Sequence, residues 1–367
     1  MRSGPAGRPG TSSWRIAGVP VHLHPSFLVL GALVAILLDP LLRSDLPSVP
    51  ATQVHLISAT IGALLLLSVA LHELAHAVVG RALDIPIIGV HLWGLGGSTA
   101  LSREPETPRA QYYVSVSGPL VNLLLGGIAA LVWQTTEIGT IPHEFGLRLA
   151  AANAMLAAYN LLPGLPLDGG QIVRAGVWAL TGDKITGLRV AGYGGLLTAA
   201  LTALLALSET QHGGDYGLFT FLIAVFIALQ AQQALRAAGI ARRLPTVVAG
   251  ALARPAFLVG EDLPLAEALR RAAAGGRTAV IYGTSDRPDH VLSEVLLAQV
   301  PAQRRPWVPL SSVVRPALPL DAQLAGEDLL DALRRDGPRE HVVMNGNELV
   351  GVLRTSDVAA ALNRSGT

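Results

Sequence analysis

The chain has 367 residues, 51% hydrophobic and 14% charged, with a mean hydropathy of +0.47, too apolar for an ordinary water-soluble protein. Its 27 basic and 26 acidic residues leave a formal charge of +1, so no bulk field points to nucleic acid or to an acidic partner. The absence of cysteine excludes disulfides, thiolate metal sites and a cysteine nucleophile; any metal must sit on His, Asp or Glu.

Residues 1–20 open with a Gly-, Pro-, Ser- and Arg-rich stretch, Met1 to Ser13, that has no apolar core. They read as a disordered cytoplasmic arm and not as a cleavable signal. Apolar runs follow near 21–42, 57–83, 114–133, 147–167, 188–207 and 216–238, each close to the roughly 20 residues that cross a bilayer. They predict an α-helical polytopic membrane protein with six transmembrane helices over residues 21–242. The first run is the weakest, uninterrupted only from Phe27 to Leu38 before Asp39 and Pro40. Basic residues alternate between connections: Arg2, Arg8 and Arg15; Arg81, Arg103 and Arg109; Arg174, Lys184 and Arg189; Arg236, Arg242 and Arg243. The other connections hold only Arg43 and Arg148. The positive-inside rule then gives a multi-pass protein of the cell membrane with both termini cytoplasmic.

The second run contains Leu71-His72-Glu73-Leu74-Ala75-His76. Positions i and i+4 share one helix face, so His72 and His76 can grip one metal ion, and Glu73 lies beside that face as a general base for an attacking water. An ionisable residue at the centre of a span costs about 2.5–3.5 kcal/mol on insertion scales. Three of them need a compensating partner, which a metal supplies and a chance occurrence of the motif does not. Ile87-Ile88-Gly89-Val90-His91-Leu92-Trp93, followed by Gly94-Leu95-Gly96-Gly97, reads either as a hairpin whose edge pairs with an unwound substrate segment or as a plain interfacial loop. In the third run, Gly118 and Asn122 suit close helix approach.

The fourth run ends in Asn160-Leu161-Leu162-Pro163-Gly164-Leu165-Pro166-Leu167-Asp168-Gly169-Gly170. His76 lies about 20 residues past His55, and Asp168 about 20 past Arg148, so both sit roughly 30 Å from the outer face. That shared depth favours Asp168 as the third metal ligand over a helix N-cap. Asn160, about two helical turns earlier, is equally suited to donating its amide to an oxyanion and to an ordinary interhelical hydrogen bond. His22 and His24 precede the first span and are expected to bind no metal; His55, His143, His212, His290 and His341 receive no role.

From residue 243 to 367 the composition turns to mixed charged and apolar residues with an internal repeat. Glu267-Ala268-Leu269-Arg270-Arg271 then Thr278-Ala279-Val280-Ile281 recurs as Asp331-Ala332-Leu333-Arg334-Arg335 then His341-Val342-Val343-Met344, each copy a helix feeding a strand. With Gly351-Val352-Leu353-Arg354-Thr355-Ser356-Asp357, this soluble α/β part resembles a pair of cystathionine-β-synthase (CBS) modules. In that family such pairs are regulatory and often bind adenine nucleotides, the Asp contacting ribose. Here Arg354 replaces the usual Thr, and the first repeat lacks the Asp after Val291-Leu292. A degenerate pair used for homodimerisation or docking is the alternative to a nucleotide sensor.

His72-Glu73-x-x-His76 together with Asn160-x-x-Pro163-x-x-Pro166-Leu167-Asp168-Gly169, and Gly118-Pro119-Leu120-Val121-Asn122 between them, resemble the site-2 protease family of intramembrane zinc metalloproteases. The resemblance covers roughly residues 15–240. It implies one zinc ion per chain on His72, His76 and Asp168, Glu73 as general base, Asn160 at the oxyanion, and cleavage of a transmembrane segment of another protein within the lipid bilayer, in regulated intramembrane proteolysis. The competing function is a CBS-regulated membrane cation transporter, but transporters often show paired broken helices in two related halves, whereas His-Glu-x-x-His occurs here once, with no second copy.

Overall fold

The computed structural model describes residues 12–363 except 17, 95, 214–216, 261, 285–286 and 337–339. The chain divides into two compact units, Met1–Ala238 and Gly239–Thr367, the break falling inside a helix shortly before residue 242.

The first unit opens with two antiparallel strands, β1 (Ser12–Ile16) and β2 (Val19–Leu23). This corrects the expected disordered arm of residues 1–20 over its second part; residues 1–11 lie outside the described residues. The physical reason is a turn at Gly18, whose φ of 77° suits glycine, followed by Val19 and Val21 alternating into the core. Next come α1 (Ser26–Asp45), α2 (Ala51–Ala82), β3 (Ile87–Trp93) and β4 (Gly96–Leu101). The strand order is β1-β2-β3-β4, with β2 and β3 parallel and β3 and β4 antiparallel, so β4 is an edge strand. Val19, Val21, Val90 and Leu92 of this sheet pack with Phe27 and with Ala77 near the end of α2.

The unit continues through α3 (Pro108–Thr135), α4 (Ile141–Asn160), α5 (Asp168–Thr181), α6 (Lys184–Gln211) and α7 (Gly217–Arg243). Among the described residues, five helices are long and apolar enough to cross a membrane: α1, α2, α3, α6 and α7. The expected sixth, over 147–167, is met by α4, which both begins and ends earlier than that run. It ends at Asn160 because Pro163 and Pro166 cannot continue a helix, and Glu144, Arg148 and Asn153 dilute its apolar character. A count of six spans is therefore not confirmed. Outward-facing Ile36, Leu124, Leu131 and Leu204 are each more than 60% exposed, an apolar surface suited to lipid and prohibitive in water.

The second unit is α/β and contains the two expected copies. A short helix, α8 (Ala249–Leu252), precedes the first copy and packs on the second; the first comprises β5 (Ala256–Val259), α9 (Leu265–Ala274), β6 (Ala279–Thr284), β7 (Arg287–Leu292), α10 (Glu294–Ala298) and β8 (Val314–Pro316). The second comprises β9 (Leu318–Asp321), α11 (Gly326–Asp336), β10 (Glu340–Asn345), β11 (Glu348–Arg354) and α12 (Thr355–Asn363). Their sheets run β5-β6-β7-β8 and β11-β10-β9, and the copies meet through Ile281, Val291, Val342 and Val352. Ahead of β5, Arg254 exchanges both backbone hydrogen bonds with Val352 (2.8 and 3.0 Å). Its guanidinium donates to both carboxylate oxygens of Asp357 (2.9 and 2.5 Å).

Candidate metal centre

The Leu-, Val- and Ala-rich run of α2 propagates a helix through the polar trio, so His72 and His76 stand one turn apart on the face turned toward α3, both buried. Their Nε2 atoms are 3.2 Å apart. Asp168, the first residue of α5, sends Oδ2 to within 3.1 Å of His72 Nε2 and Oδ1 to within 3.3 Å of His76 Nε2. The three side chains form a group with ligand atoms within 4.8 Å of one another. Leu167, not Asp168, occupies the N-cap position of α5, so the capping alternative does not describe this carboxylate.

The outer nitrogens decide what the inner ones can do. His72 Nδ1 lies 2.6 Å from Asn122 Oδ1, and His76 Nδ1 lies 2.6 Å from the Val114 carbonyl oxygen. Both partners are acceptors, so each ring carries its proton on Nδ1 and turns a lone pair inward from Nε2. Asn122 is itself oriented, its amide donating to Asn153 Oδ1 at 3.2 Å. Two lone pairs and a carboxylate thus converge with nothing between them to donate, and Asp168 Oδ2 is buried without a hydrogen-bond partner. A cation resolves that arrangement, and the His, His, Asp set is one that zinc takes. Room is present as well: a Cβ on Gly118 would stand 2.5 Å from His76 Nε2 and 2.6 Å from His72 Nε2. Gly118 therefore does more than permit helix approach, because its missing side chain is the floor of the site.

Asp168 is held in place from two sides. The preceding loop rests on α6, where Leu165 N donates to Ala191 O at 3.0 Å and a Cβ on Gly194 would stand 2.0 Å from Pro163 O. On α5, Arg174 donates to Glu104 Oε2 at 2.8 Å, and Lys184 Nζ reaches the same oxygen at 2.7 Å. Burial pushes the Glu104 carboxyl upward, but the two cations outweigh it and hold the group below the ordinary carboxylate range.

Glu73 lies against β4. The Thr99 hydroxyl is 2.8 Å from its Oε2 and 2.9 Å from its backbone oxygen. Glu73, Asn160, His72, His76 and Asp168 line one cavity of about 890 Å³, which β4 also borders. Asn160 stands on the cavity wall and is not a member of the ligand trio. His22 stacks on His91 with centroids 4.7 Å apart, and His24 Nδ1 lies 2.6 Å from Ser26 Oγ; neither joins the trio. The orienting roles of Asn122, Val114 and Thr99 are not foreseen from the sequence. Only Asn122 carries a signal there, standing four residues after Gly118 and hence on the same face of α3.

A buried His-Glu-x-x-His on a membrane-fit helix, closed by a carboxylate from a second segment, defines a membrane-embedded metalloprotease site. Residues 60–148 match the profile of peptidase family M50, a stretch that ends before Asp168. The Mycobacterium tuberculosis protein named "Putative zinc metalloprotease Rip3" is 32% identical across 95% of this chain and 92% of the relative. The solved structure titled "Site-2 Protease from Methanocaldococcus jannaschii" is 26% identical with a TM-score of 0.43, covering 61% of this chain and 95% of that one. A CBS domain of the bacterial CNNM/CorC family Mg2+ transporter is 15% identical with a TM-score of 0.31, covering 45% of this chain and 96% of that one. The chain belongs to peptidase family M50. It is an intramembrane zinc metalloprotease that acts on membrane proteins, and kinship over nearly its whole length leaves the cation-transporter alternative with less support.

Proposed function

We propose that this protein hydrolyses a peptide bond in a transmembrane segment of another protein, with zinc held by His72, His76 and Asp168 and with Glu73 as general base. The observation that carries the reading is the convergence of two imidazole lone pairs and the Asp168 carboxylate at the place where Gly118 lacks a side chain. Zinc, when bound, polarises the scissile carbonyl and makes water a nucleophile near neutral pH. The protein's own groups do the rest. Asn122 and Val114 keep both histidines in the ligating tautomer, Glu73 takes the proton of the attacking water and returns it to the leaving amine, and Asn160 donates its amide to the developing oxyanion from the cavity wall. The free edge of β4 receives the substrate as an added strand, supplying the extended conformation that hydrolysis requires.

The Lys and Arg distribution supports a multi-pass arrangement with both termini in the cytoplasm. Residues 21–242 form the protease and 243–367 a CBS-pair regulatory domain that also serves homodimerisation. Because Arg254 already takes both oxygens of Asp357, that domain responds to substrate or to a partner protein and not to an adenine nucleotide.

The test is metal analysis and cleavage assays on purified wild type, Asp168→Ala and Glu73→Gln. Wild type should carry about one zinc per chain, Asp168→Ala should lose it, and Glu73→Gln should keep it while cleavage falls by about 10²–10⁴-fold. Unchanged zinc in Asp168→Ala removes that ligand, and substantial cleavage by Glu73→Gln removes the general base.

A further inference from the structure

Resting on the reading of Glu73 as general base, we propose that Thr99 is a positioning residue for that base: through its hydroxyl, strand β4 fixes the Glu73 carboxylate in the orientation that accepts the proton of the attacking water.

Two residues of one strand hold one side chain. Gly97 and Thr99 are two apart on β4 and so share the face turned toward α2. A Cβ on Gly97 would stand 2.4 Å from Glu73 Cγ, 2.9 Å from its Cδ and 3.0 Å from Oε1, so the glutamate lies flat against a strand that has no side chain at that point. Two positions on, the Thr99 hydroxyl sits 2.8 Å from Glu73 Oε2 and 2.9 Å from its main-chain oxygen. A hydroxyl has one proton to give. Within α2 the Glu73 carbonyl is served by the amide four residues on, so the carboxylate is the acceptor with more to gain, and a charged acceptor makes the stronger bond. Engaging Oε2 sets the plane of the carboxylate and leaves Oε1 as the basic oxygen.

The need follows from the motif's own geometry. Glu73 adjoins His72 in sequence, so its Cα–Cβ bond points about 100° around the helix from that of the ligand, and its three side-chain torsions do not by themselves deliver an oxygen to the cavity. A glutamate loses rotamer freedom when fixed, and misplacing a reacting group by about 1 Å can cost about 10²-fold in rate. A donor on a strand that itself packs on α2 supplies the constraint in advance.

The full-length protein, reconstituted in lipid vesicles with a cleavable membrane-protein substrate, tests this with Thr99→Val, Thr99→Ser and Gly97→Ala. Thr99→Val keeps shape and removes only the hydroxyl. Its kcat should fall on the order of tenfold or more, with KM within about twofold and zinc content unchanged; Thr99→Ser should recover most of the loss. Gly97→Ala, which displaces Glu73 without touching Thr99, should lower kcat similarly. A readout free of turnover is the labelling of Glu73 by a membrane-permeant carbodiimide in zinc-depleted protein. Labelling should rise in Thr99→Val and return toward wild type in Thr99→Ser. Normal kcat in Thr99→Val, or no rescue by Ser, overturns the positioning role. Glu73→Gln run alongside separates the two failures: if it is inactive while Thr99→Val is normal, only the positioning role falls, whereas if it still cleaves, the general-base reading falls first.

Discussion

The two units solve the problem of an interior in opposite ways. In the membrane unit, the buried side chains include His72, Glu73, His76, Gln111, Ser115, Ser117, Asn122 and Asn153, and most of them are tied into one network around the metal centre: Asn122 on His72, Ser117 beside His76, Asn153 on Asn122. Other buried polar groups there, such as Ser58 and Ser68, merely bond the preceding turn of their own helix. In the C-terminal unit the interior is aliphatic, with Leu265, Ile281, Leu310, Leu329 and Leu353 almost fully buried and Ser293 and His341 as the buried polar residues among those described. Its charges pair closer to the surface, as Arg254 does with Asp357 and Arg354 with Glu294. Burying a polar group costs free energy unless it is satisfied, and doubly so where lipid replaces water. A membrane interior that nonetheless concentrates such groups in one place is organised around chemistry, while the aliphatic interior is organised around packing.

That contrast is broken most directly by filling the metal position. Gly118→Ala puts a methyl group where the Cβ stands 2.5 and 2.6 Å from the two ligating nitrogens, closer than carbon and nitrogen tolerate. Zinc per chain should fall at least tenfold and cleavage should disappear, while circular dichroism of the full chain stays unchanged. Gly127, where an added methyl meets nothing within 4 Å, provides the matched control on the same helix, and Gly127→Ala should retain zinc and cleavage. Full zinc occupancy in Gly118→Ala would mean that the cation does not sit between His72, His76 and Asp168.

A smaller effect should appear in the other unit and stay there. Arg254 joins the segment ahead of β5 to the last helix, and Asp357 is the more buried partner, its side chain 16% exposed against 38% for Arg254. Arg254→Ala strands that carboxylate. The expected cost is about 1–2 kcal/mol, since one partner stays partly solvated, which corresponds to amide exchange roughly 5–30-fold faster in β11 and α12. Zinc content and the exchange of α2 should not move. Acceleration confined to α2, or none in either unit, would dissolve the division between a catalytic and a packed interior.

What the sequence revealed and what it concealed divide along the same physical line. The His72–His76 pair was legible because both residues share one helix and a fixed period, and Asp168 because depth along a span is countable at 1.5 Å per residue. The strand-and-helix repeat was legible for the same local reason. Asn122, Thr99 and the Glu104 clamp were not, because each acts across 26 to 70 residues of sequence, where no period links the partners. The two strands over 12–23 were missed because composition, dominated by the polar residues ahead of them, outweighed a short alternation of Val19 and Val21. The fourth helix lies earlier than its hydropathy suggests, because the apolar residues around Pro163 and Pro166 raise the average beyond the point where the prolines end the helix.

The smallest expected effect lies at the rim of the metal centre and depends on pH. Glu104 bridges Arg174 of α5 and Lys184 at the start of α6, tying the helix that carries Asp168 to the loop ahead of α3. Burial raises its carboxyl, and the hydrogen bonds and charges of Lys184 and Arg174 bring it below the ordinary value. With the folded value depressed, the unfolded chain binds more protons at acid pH, so the bridge's contribution is fully present above about pH 4.3 and is lost as pH falls through the folded value. The carboxylate is 60% exposed, and solvent screening limits the contribution to about 0.5–1 kcal/mol. Glu104→Gln should therefore lower the inactivation temperature of the zinc-loaded protein slightly at pH 7 and flatten its decline as pH falls below about 4.3 relative to wild type, with exchange in the C-terminal unit unchanged. Arg174, whose side chain is only 7% exposed, keeps a 3.5 Å contact with Gln171 in the variant, so α5 should stay docked and zinc should stay bound. Equal inactivation temperatures and equal acid slopes for the two proteins would show that α5 is held by the glycine-lined seat on α6 alone, and that the charged rim contributes nothing to placing Asp168.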